Sequence, residues 1–153
     1  MWKLNSAERL SRWRAFRKSL DTVSLETAAE QVSDFWVKCP YVGYYLDHDQ
    51  PNTWPDPWTL VEENYWCDLA KALGMLYTIQ LTAHNPEIEI RVYNDPISRL
   101  QYNLVWIEQG KYVLNLISDQ VVNKTHVEKS LKDRKSTRLN SSHSQQSRMP
   151  SSA

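Results

Sequence analysis

The stretch Tyr-Trp-Cys-Asp-Leu-Ala-Lys-Ala-Leu-Gly-Met-Leu-Tyr-Thr-Ile-Gln, residues 65–80, decides the fold of this chain. Its apolar side chains recur every three or four residues, which is the spacing of one face of an α-helix. The residues on that face are Trp66, Leu69, Ala70, Leu73, Tyr77 and Gln80. Most of them are apolar, so the pattern predicts a buried central helix. We expect it to begin at Asp56-Pro57 and to end near Thr82, and the pattern allows a break near Asn64.

After this helix the period of the hydrophobic pattern changes from 3.6 to 2, which indicates strands. In residues 88–93, apolar Ile and Val alternate with Glu, Arg and Tyr, as in a half-buried strand. A second strand is predicted over residues 100–107 and a third over residues 112–116. Gln109-Gly110 makes the tight turn between them.

Before the central helix the sequence predicts two more helices. The first covers residues 5–20, with Asn5 and Glu8 as a capping box. The second covers residues 25–37 and is capped by Ser24. Together these elements predict an α+β fold, in which the N-terminal helices and the central buried helix pack on a small three-stranded antiparallel meander.

The composition excludes several classes of protein. The 18 Lys and Arg balance 18 Asp and Glu, which argues against a dedicated nucleic-acid or membrane-surface binder. No apolar run approaches the roughly 20 residues that a membrane-spanning helix needs. The first residues lack the apolar stretch of a signal peptide, and two cysteines cannot form a disulfide framework. We therefore expect a soluble protein of a reducing compartment, with no bound cofactor or metal.

Residues 133–153 differ abruptly in composition from the rest of the chain. Asp-Arg-Lys-Ser-Thr-Arg-Leu-Asn-Ser-Ser-His, residues 133–143, resembles the translation of an Illumina-type sequencing adapter, and residues 147–153 resemble its later part. The resemblance implies a disordered, artefactual tail that packs against nothing. Residues 1–132 would then form one α+β domain, truncated near Lys132. Without the tail the chain has 14 Lys and Arg and 17 Asp and Glu, a net charge of −3.

The first helix is basic, whereas the segment after it is acidic. Residues 1–20 carry a local charge of +5, and residues 21–70 carry −9. Arg9, Trp13 and Arg17 lie close together on the helical wheel, and arginines beside aromatic rings suit phosphate contacts and base stacking. Two interpretations stay open: a basic helix that packs on the acidic segment or docks a partner, and a nucleic-acid surface.

Aromatic residues are concentrated in the segment before the central helix. Trp54 and Trp58 flank two prolines, and Tyr44 and Tyr45 precede them. Exposed tryptophan and tyrosine are typical anchors of protein interfaces, which makes these four residues candidate binding residues for an unknown protein partner. The sequence around Trp54–Thr82 also resembles small uncharacterised proteins of marine tailed bacteriophages. That resemblance implies a location in the host cytoplasm or the virion.

Cys67 is the candidate catalytic residue, because a helix N-terminus favours the nucleophilic thiolate. The order of elements over residues 63–116 resembles transglutaminase-like and papain-like thiol enzymes. In those enzymes a Cys opens a helix, and the antiparallel sheet that follows carries a His and then an Asp or Asn. Here the place of the His is taken by Gln101, Tyr102 and Asn103, and the third place by Asn115.

Asp47-His48-Asp49 contains residue types that bind metals, but adjacent residues rarely converge on one ion, so we interpret it as a solvated loop tip.

Taken together, the sequence favours a non-enzymatic protein that acts by protein contact. The alternatives are a divergent or inactive transglutaminase-like thiol enzyme that uses Cys67, and nucleic-acid binding through the first helix.

Overall fold

The computed structural model describes residues 1–43, 45–95, 97–131 and 135–139, the last five by their main chain alone. In this part of the chain the helices are Ser6–Ser19 (α1), Leu25–Trp36 (α2), Pro57–Glu63 (α3), Asp68–Gln80 (α4) and Lys124–Leu131 (α5). The strands are Ile88–Asn94 (β1), Gln101–Ile107 (β2), Tyr112–Leu114 (β3) and Lys135–Leu139 (β4). The predicted α+β class is confirmed, with the helices packed on the strands.

Three of the helices begin at the predicted capping residues. Asn5 Oδ1 accepts the Glu8 N–H at 2.9 Å, and Asn5 Nδ2 donates to Glu8 Oε1 at 2.7 Å, which completes the capping box of α1. Ser24 caps α2 and Asp56 caps α3, each by accepting the N–H group three residues further on. These local signals therefore fix where the helical layer starts.

The predicted long helix is divided at Asn64 into α3 and α4. Asn64 adopts a left-handed conformation (φ 60°), which asparagine tolerates better than most residues. Its side chain is held at both ends: Oδ1 accepts the Trp66 indole N–H at 2.8 Å, and Nδ2 donates to the Trp2 carbonyl at 3.0 Å. As a result α4 starts anew at Asp68, with Cys67 as its N-cap.

The sheet contains the predicted meander. β1 pairs with β2, and β2 pairs with β3, in both cases antiparallel, with Ile90 opposite Val105 and Val105 opposite Leu114. The turn between β2 and β3 requires glycine, because Gly110 has φ +92° and a Cβ there would lie 2.8 Å from the Trp106 ring.

Residues 135–139 form a fourth strand, β4, which pairs antiparallel with Ile90–Asn94 of β1. This differs from the expectation that residues 133–153 pack against nothing. Since β1 is otherwise an edge strand, its unpaired N–H and C=O groups can accept any extended segment, whatever its side chains. The remaining residues of the predicted tail lie outside the described part of the chain.

The central helix α4 is buried along nearly its whole length, as predicted. Thr78 Oγ1 accepts the indole N–H of Trp13 at 2.9 Å and that of Trp36 at 3.0 Å, so that α1 and α2 are both tied to α4. A Cβ at Gly74 would lie 2.7 Å from the Trp36 ring, which explains the glycine inside this helix. No helix in the described residues is long and apolar enough to cross a membrane.

Candidate functional site

Cys67 lines a cleft at the start of α4. Its Sγ accepts the Ala70 N–H at 3.4 Å, so the thiol lies on the unpaired amide groups of the first helical turn. Only 3% of the residue is exposed. The cleft has a volume of about 330 Å³, and its lining residues are Tyr41, Leu46, Cys67, Asp68, Leu69, Arg99, Gln101 and Asn103.

One wall of this cleft is the chain that follows α2. Tyr41 forms a parallel bridge with Trp66, and the Val42 N–H donates to the Trp66 carbonyl at 3.0 Å. These contacts hold the residue before Cys67 in an extended conformation. The buried Trp66 ring packs on Trp36 at a centroid distance of 4.7 Å, which anchors the same segment to α2.

Asp68, the first residue of α4, is bound by two asparagines from the sheet. Asn103 Nδ2 donates to Asp68 Oδ2 at 2.8 Å, and Asn115 Nδ2 donates to Asp68 Oδ1 at 3.3 Å. Lys71 Nζ lies 3.7 Å from Oδ1. The helix N-terminus also favours a carboxylate at this position. The negative charge of Asp68 is therefore compensated from three sides.

The backbone of the sheet brings these amides to Cys67. Gln101 and Asn103 lie two residues apart on β2, so their side chains share a face, and Gln101 Nε2 donates to Asn103 Oδ1 at 2.9 Å. Asn115 follows β3 with a left-handed φ of 73°, and its Nδ2 also donates to the Asn103 carbonyl at 2.9 Å. Residues far apart in sequence thus form one polar cluster beside the thiol.

Burial affects the acidity of two groups near the cleft. Burial raises the pKa of Cys39 to about 11, although the nearby Lys71 ammonium opposes this. It also raises the pKa of Tyr45 well above its usual value, and negative charge at Cys67 and Glu63 acts in the same direction. Both groups are therefore neutral at physiological pH.

No histidine is found among the described lining residues of the cleft. His84 Nε2 lies 2.9 Å from the Leu20 carbonyl, and His84 is not among the lining residues of the cleft. His48 Nε2 lies 3.0 Å from Asp49 Oδ1, and His126 borders a separate surface depression beside α5. A general base of the usual kind is thus missing from this part of the site.

This fold has counterparts among solved structures. The chain is similar to LapG of Legionella pneumophila. The calcium-bound structure has a TM-score of 0.68 at 12% identity, covering 90% of this chain and 77% of that one. The EGTA-treated structure has a TM-score of 0.67 at 13% identity, covering 91% and 79%. No family model matches the chain, and no curated protein matches its sequence.

The LapG likeness corrects two predictions. The resemblance to marine phage proteins is not supported, whereas the faint transglutaminase-like order around Cys67 agrees with the LapG fold. The prediction of a non-enzymatic protein that acts by protein contact is also wrong, because the fold matches that of LapG. The order of helices and strands around Cys67 therefore predicts the fold better than the aromatic composition does.

The aromatic binding residues are corrected by their burial. Trp54 is 1% exposed and donates from its indole to the Asp47 carbonyl at 2.9 Å, and Trp58 is 9% exposed and packs on Trp13. Both tryptophans attach the segment before α3 to the hydrophobic core. Tyr45 is only partly covered, with 38% of the residue exposed, and it contacts the Tyr65 ring. Tyr44 lies outside the described residues.

Arg9 and Arg17, the two arginines predicted to form a binding surface on α1, are also buried. Arg9 donates to the carbonyls of Leu4, Val61 and Glu62, and so caps the C-terminus of α3. The Arg17 guanidinium lies over the rings of Trp13 and Trp58, at 4.2 and 5.1 Å from their centroids. Burial and the charge of Arg14 lower the pKa of Arg17 to about 10. Arg9, Trp13 and Arg17 therefore hold α1 on α3.

Asp47, His48 and Asp49 present ligand atoms within 4.8 Å of one another, so the loop tip has the donor set of a metal site. The two carboxylates are exposed, and the Asp47 carboxylate already accepts the Asp49 N–H at 2.9 Å.

The contacts of Asp68 are the part of the site that the sequence did not indicate, since its partners lie 35 and 47 residues away.

Proposed function

We propose that the chain is a divergent thiol enzyme of the transglutaminase-like superfamily, in which the nucleophile Cys67 forms an acyl-enzyme that is released slowly. LapG is a cysteine protease with this fold. The observation that carries the proposal is the position of Cys67, at the N-cap of α4 and in a cleft that Gln101 and Asn103 also line. In transglutaminase-like enzymes the thiol, a base and a polar orienting residue come from these same elements.

The first chemical step requires only the thiol and the helix. Sγ attacks the carbonyl carbon of an acyl group, the leaving group departs with the bonding electrons, and the thiol proton passes to solvent. The N–H groups of the first turn of α4 stabilise negative charge at Sγ, because they have no partners within the helix. Activated acyl groups, whose leaving groups need no proton, can therefore react with Cys67.

The later steps require a group that Asn103 cannot replace. Expulsion of an amine from a peptide needs a general acid, and hydrolysis of the thioester needs a general base. A carboxamide neither accepts nor donates a proton near neutral pH, whereas an imidazole does both. Asn115, in contrast, suits the third position, which holds an Asp or an Asn in the enzymes this order resembles. We therefore expect the chain to form an acyl-enzyme readily and to release it slowly.

Rapid mixing with 4-nitrophenyl acetate tests this proposal. We expect a burst of nitrophenolate equal to one per molecule of protein, followed by a slow steady phase. The Cys67→Ser variant should lose the burst. The Cys39→Ser variant is the matched control and should keep it, because the Cys39 thiol, with a pKa of about 11, is almost wholly protonated at neutral pH.

A burst that survives in Cys67→Ser would show that another group reacts, and the proposal would be wrong. Absence of a burst from the folded wild-type protein would contradict it equally, since it would mean that the thiol cannot reach even a small ester.

A further inference from the structure

Among the exposed large apolar side chains of the described residues, one lines the Cys67 cleft, and two lie in the turn that carries a lining residue. Tyr41, itself a lining residue, is 75% exposed, and Ile97, in the turn that carries the lining residue Arg99, is 93% exposed. The complete set of exposed large apolar side chains in the described residues is Tyr41, Val42, Tyr45, Tyr65, Ile97 and Leu100. An exposed apolar side chain that lines a cleft, with two more in the adjoining turn, suits contact with a ligand or partner.

The turn that carries Ile97 is held in place by hydrogen bonds. The Asp95 carboxylate accepts the Ile97 N–H at 3.1 Å and the Ser98 hydroxyl at 2.7 Å. The Asp95 N–H donates to the Leu100 carbonyl at 3.0 Å, which closes the turn. A turn fixed in this way presents its side chains with little entropy left to lose on binding.

The charge that remains available in the cleft is positive. Asp68 is compensated by Asn103, Asn115 and Lys71. The Arg99 guanidinium also lines the cleft, and it has no ion-pair or hydrogen-bond partner among the described residues. An incoming carboxylate would therefore meet an arginine that no internal acid neutralises.

We propose that this cleft binds an extended peptide segment that combines apolar side chains with a carboxylate. The apolar side chains pack on Tyr41, Ile97 and Leu100, and the carboxylate pairs with Arg99. This inference rests on the proposed function, because it names the substrate of the same site. Binding of the peptide can nevertheless be measured separately from the reactivity of the Cys67 thiol.

Fluorescence polarisation with three labelled, C-terminally amidated hexapeptides tests the inference at low ionic strength. The first is Gly-Leu-Leu-Glu-Leu-Gly, the second has Gln in place of Glu, and the third has Ser in place of every Leu. We expect the Gln peptide to bind about threefold more weakly than the Glu peptide, as for an exposed ion pair. We expect the Ser peptide to bind at least about tenfold more weakly, because it buries little apolar area.

Variants assign these differences to residues. Arg99→Gln should bind the Glu and Gln peptides equally, whereas Arg14→Gln, a charge change on the exposed face of α1, should leave the preference intact. Ile97→Ser should weaken both Leu peptides alike. A preference for Glu that persists in Arg99→Gln would overturn the inference, and so would equal binding of the Leu and Ser peptides.

The two proposals can fail separately. The acyl burst reports on Cys67, whereas the peptide preference reports on Arg99 and Ile97, and both are measured on the wild-type protein. Loss of peptide selectivity with an intact burst would therefore refute only the substrate class. Selective peptide binding without a burst would refute only the thiol chemistry.

Discussion

At the scale of single residues, the site depends on which groups can carry or transfer a proton. Asp68 is bound by the amides of Asn103 and Asn115. Replacing one of these asparagines by histidine would place an imidazole beside a carboxylate, which is the pairing that orients a catalytic histidine. In the proposed thiol enzyme, Asp68, Asn103 and Asn115 would form the polar framework, and the group that moves the proton is the part that differs.

The two cysteines differ in their surroundings, and Cys39 gives a test by pH. In the Cys67→Ser variant, alkylation of Cys39 by iodoacetamide should rise about tenfold per pH unit above pH 9 and level off near the pKa of about 11. The folded state holds this thiol protonated more tightly than the unfolded state does. Its contribution to the free energy of unfolding is therefore complete below pH 9 and is lost as the pH rises towards 11.

The measurement is the alkylation rate against pH, followed by mass spectrometry, with the urea-unfolded protein as control. A rate that levels off near pH 9 in the folded protein would show that burial does not protect this thiol.

At the scale of secondary-structure elements, the end of α3 determines where the nucleophile lies. Asn64 ends α3 in a left-handed conformation, and its side chain holds Trp66, so that α4 begins at Asp68. The Arg9 guanidinium of α1 stabilises the same end of α3 by donating to the carbonyls of Val61 and Glu62. A continuous helix from Pro57 would instead leave Cys67 in mid-helix, without unpaired amide groups around its thiol.

Substitution of Arg9 tests this role. Arg9→Met keeps the apolar stem but leaves buried carbonyls without their charged donor, and should lower the free energy of unfolding by about 2–4 kcal/mol. Arg12→Met, on the exposed face of the same helix, is the matched control and should change it by less than about 0.5 kcal/mol. Urea denaturation measures both. Equal effects of the two substitutions would contradict the capping role of Arg9.

Local patterns predicted most of the elements, and they allowed the break near Asn64 that puts Cys67 at the start of a helix. The capping residues Asn5, Ser24 and Asp56 and the change of period before β1 are signals that act over a few residues. The roles of Arg9 and Arg17 depend on contacts with α3, more than 40 positions away, and a helical wheel does not show which face is covered. The sequence therefore leaves open whether their basic, aromatic pattern packs on the acidic segment or forms a binding surface. The hydrogen bonds of Asp68 were hidden for the same reason.

At the scale of the whole molecule, the helical layer and the sheet serve to bring two chain segments together. The start of α4 supplies Cys67, and β2 and the residues after β3 supply Asn103 and Asn115. The likeness to LapG extends over 90% of the chain at only 12% identity, so the shared feature is the fold and not the sequence. The proposed function therefore depends on one point: Cys67 lies in a cleft in which an amide, Asn103, stands where the base is expected.

The lifetime of the acyl group on Cys67 tests this claim most directly. Wild type, Asn103→His and the matched control Asn103→Gln are acetylated with 4-nitrophenyl acetate, freed of reagent, and followed by intact-mass spectrometry and peptide mapping. We expect acetyl-Cys67 in all three, long-lived in wild type and Asn103→Gln, and hydrolysed at least about tenfold faster in Asn103→His, since a positioned base contributes about 10²–10⁴-fold. Equal lifetimes in the three folded proteins, or an acetyl group that is not on Cys67, would contradict the claim.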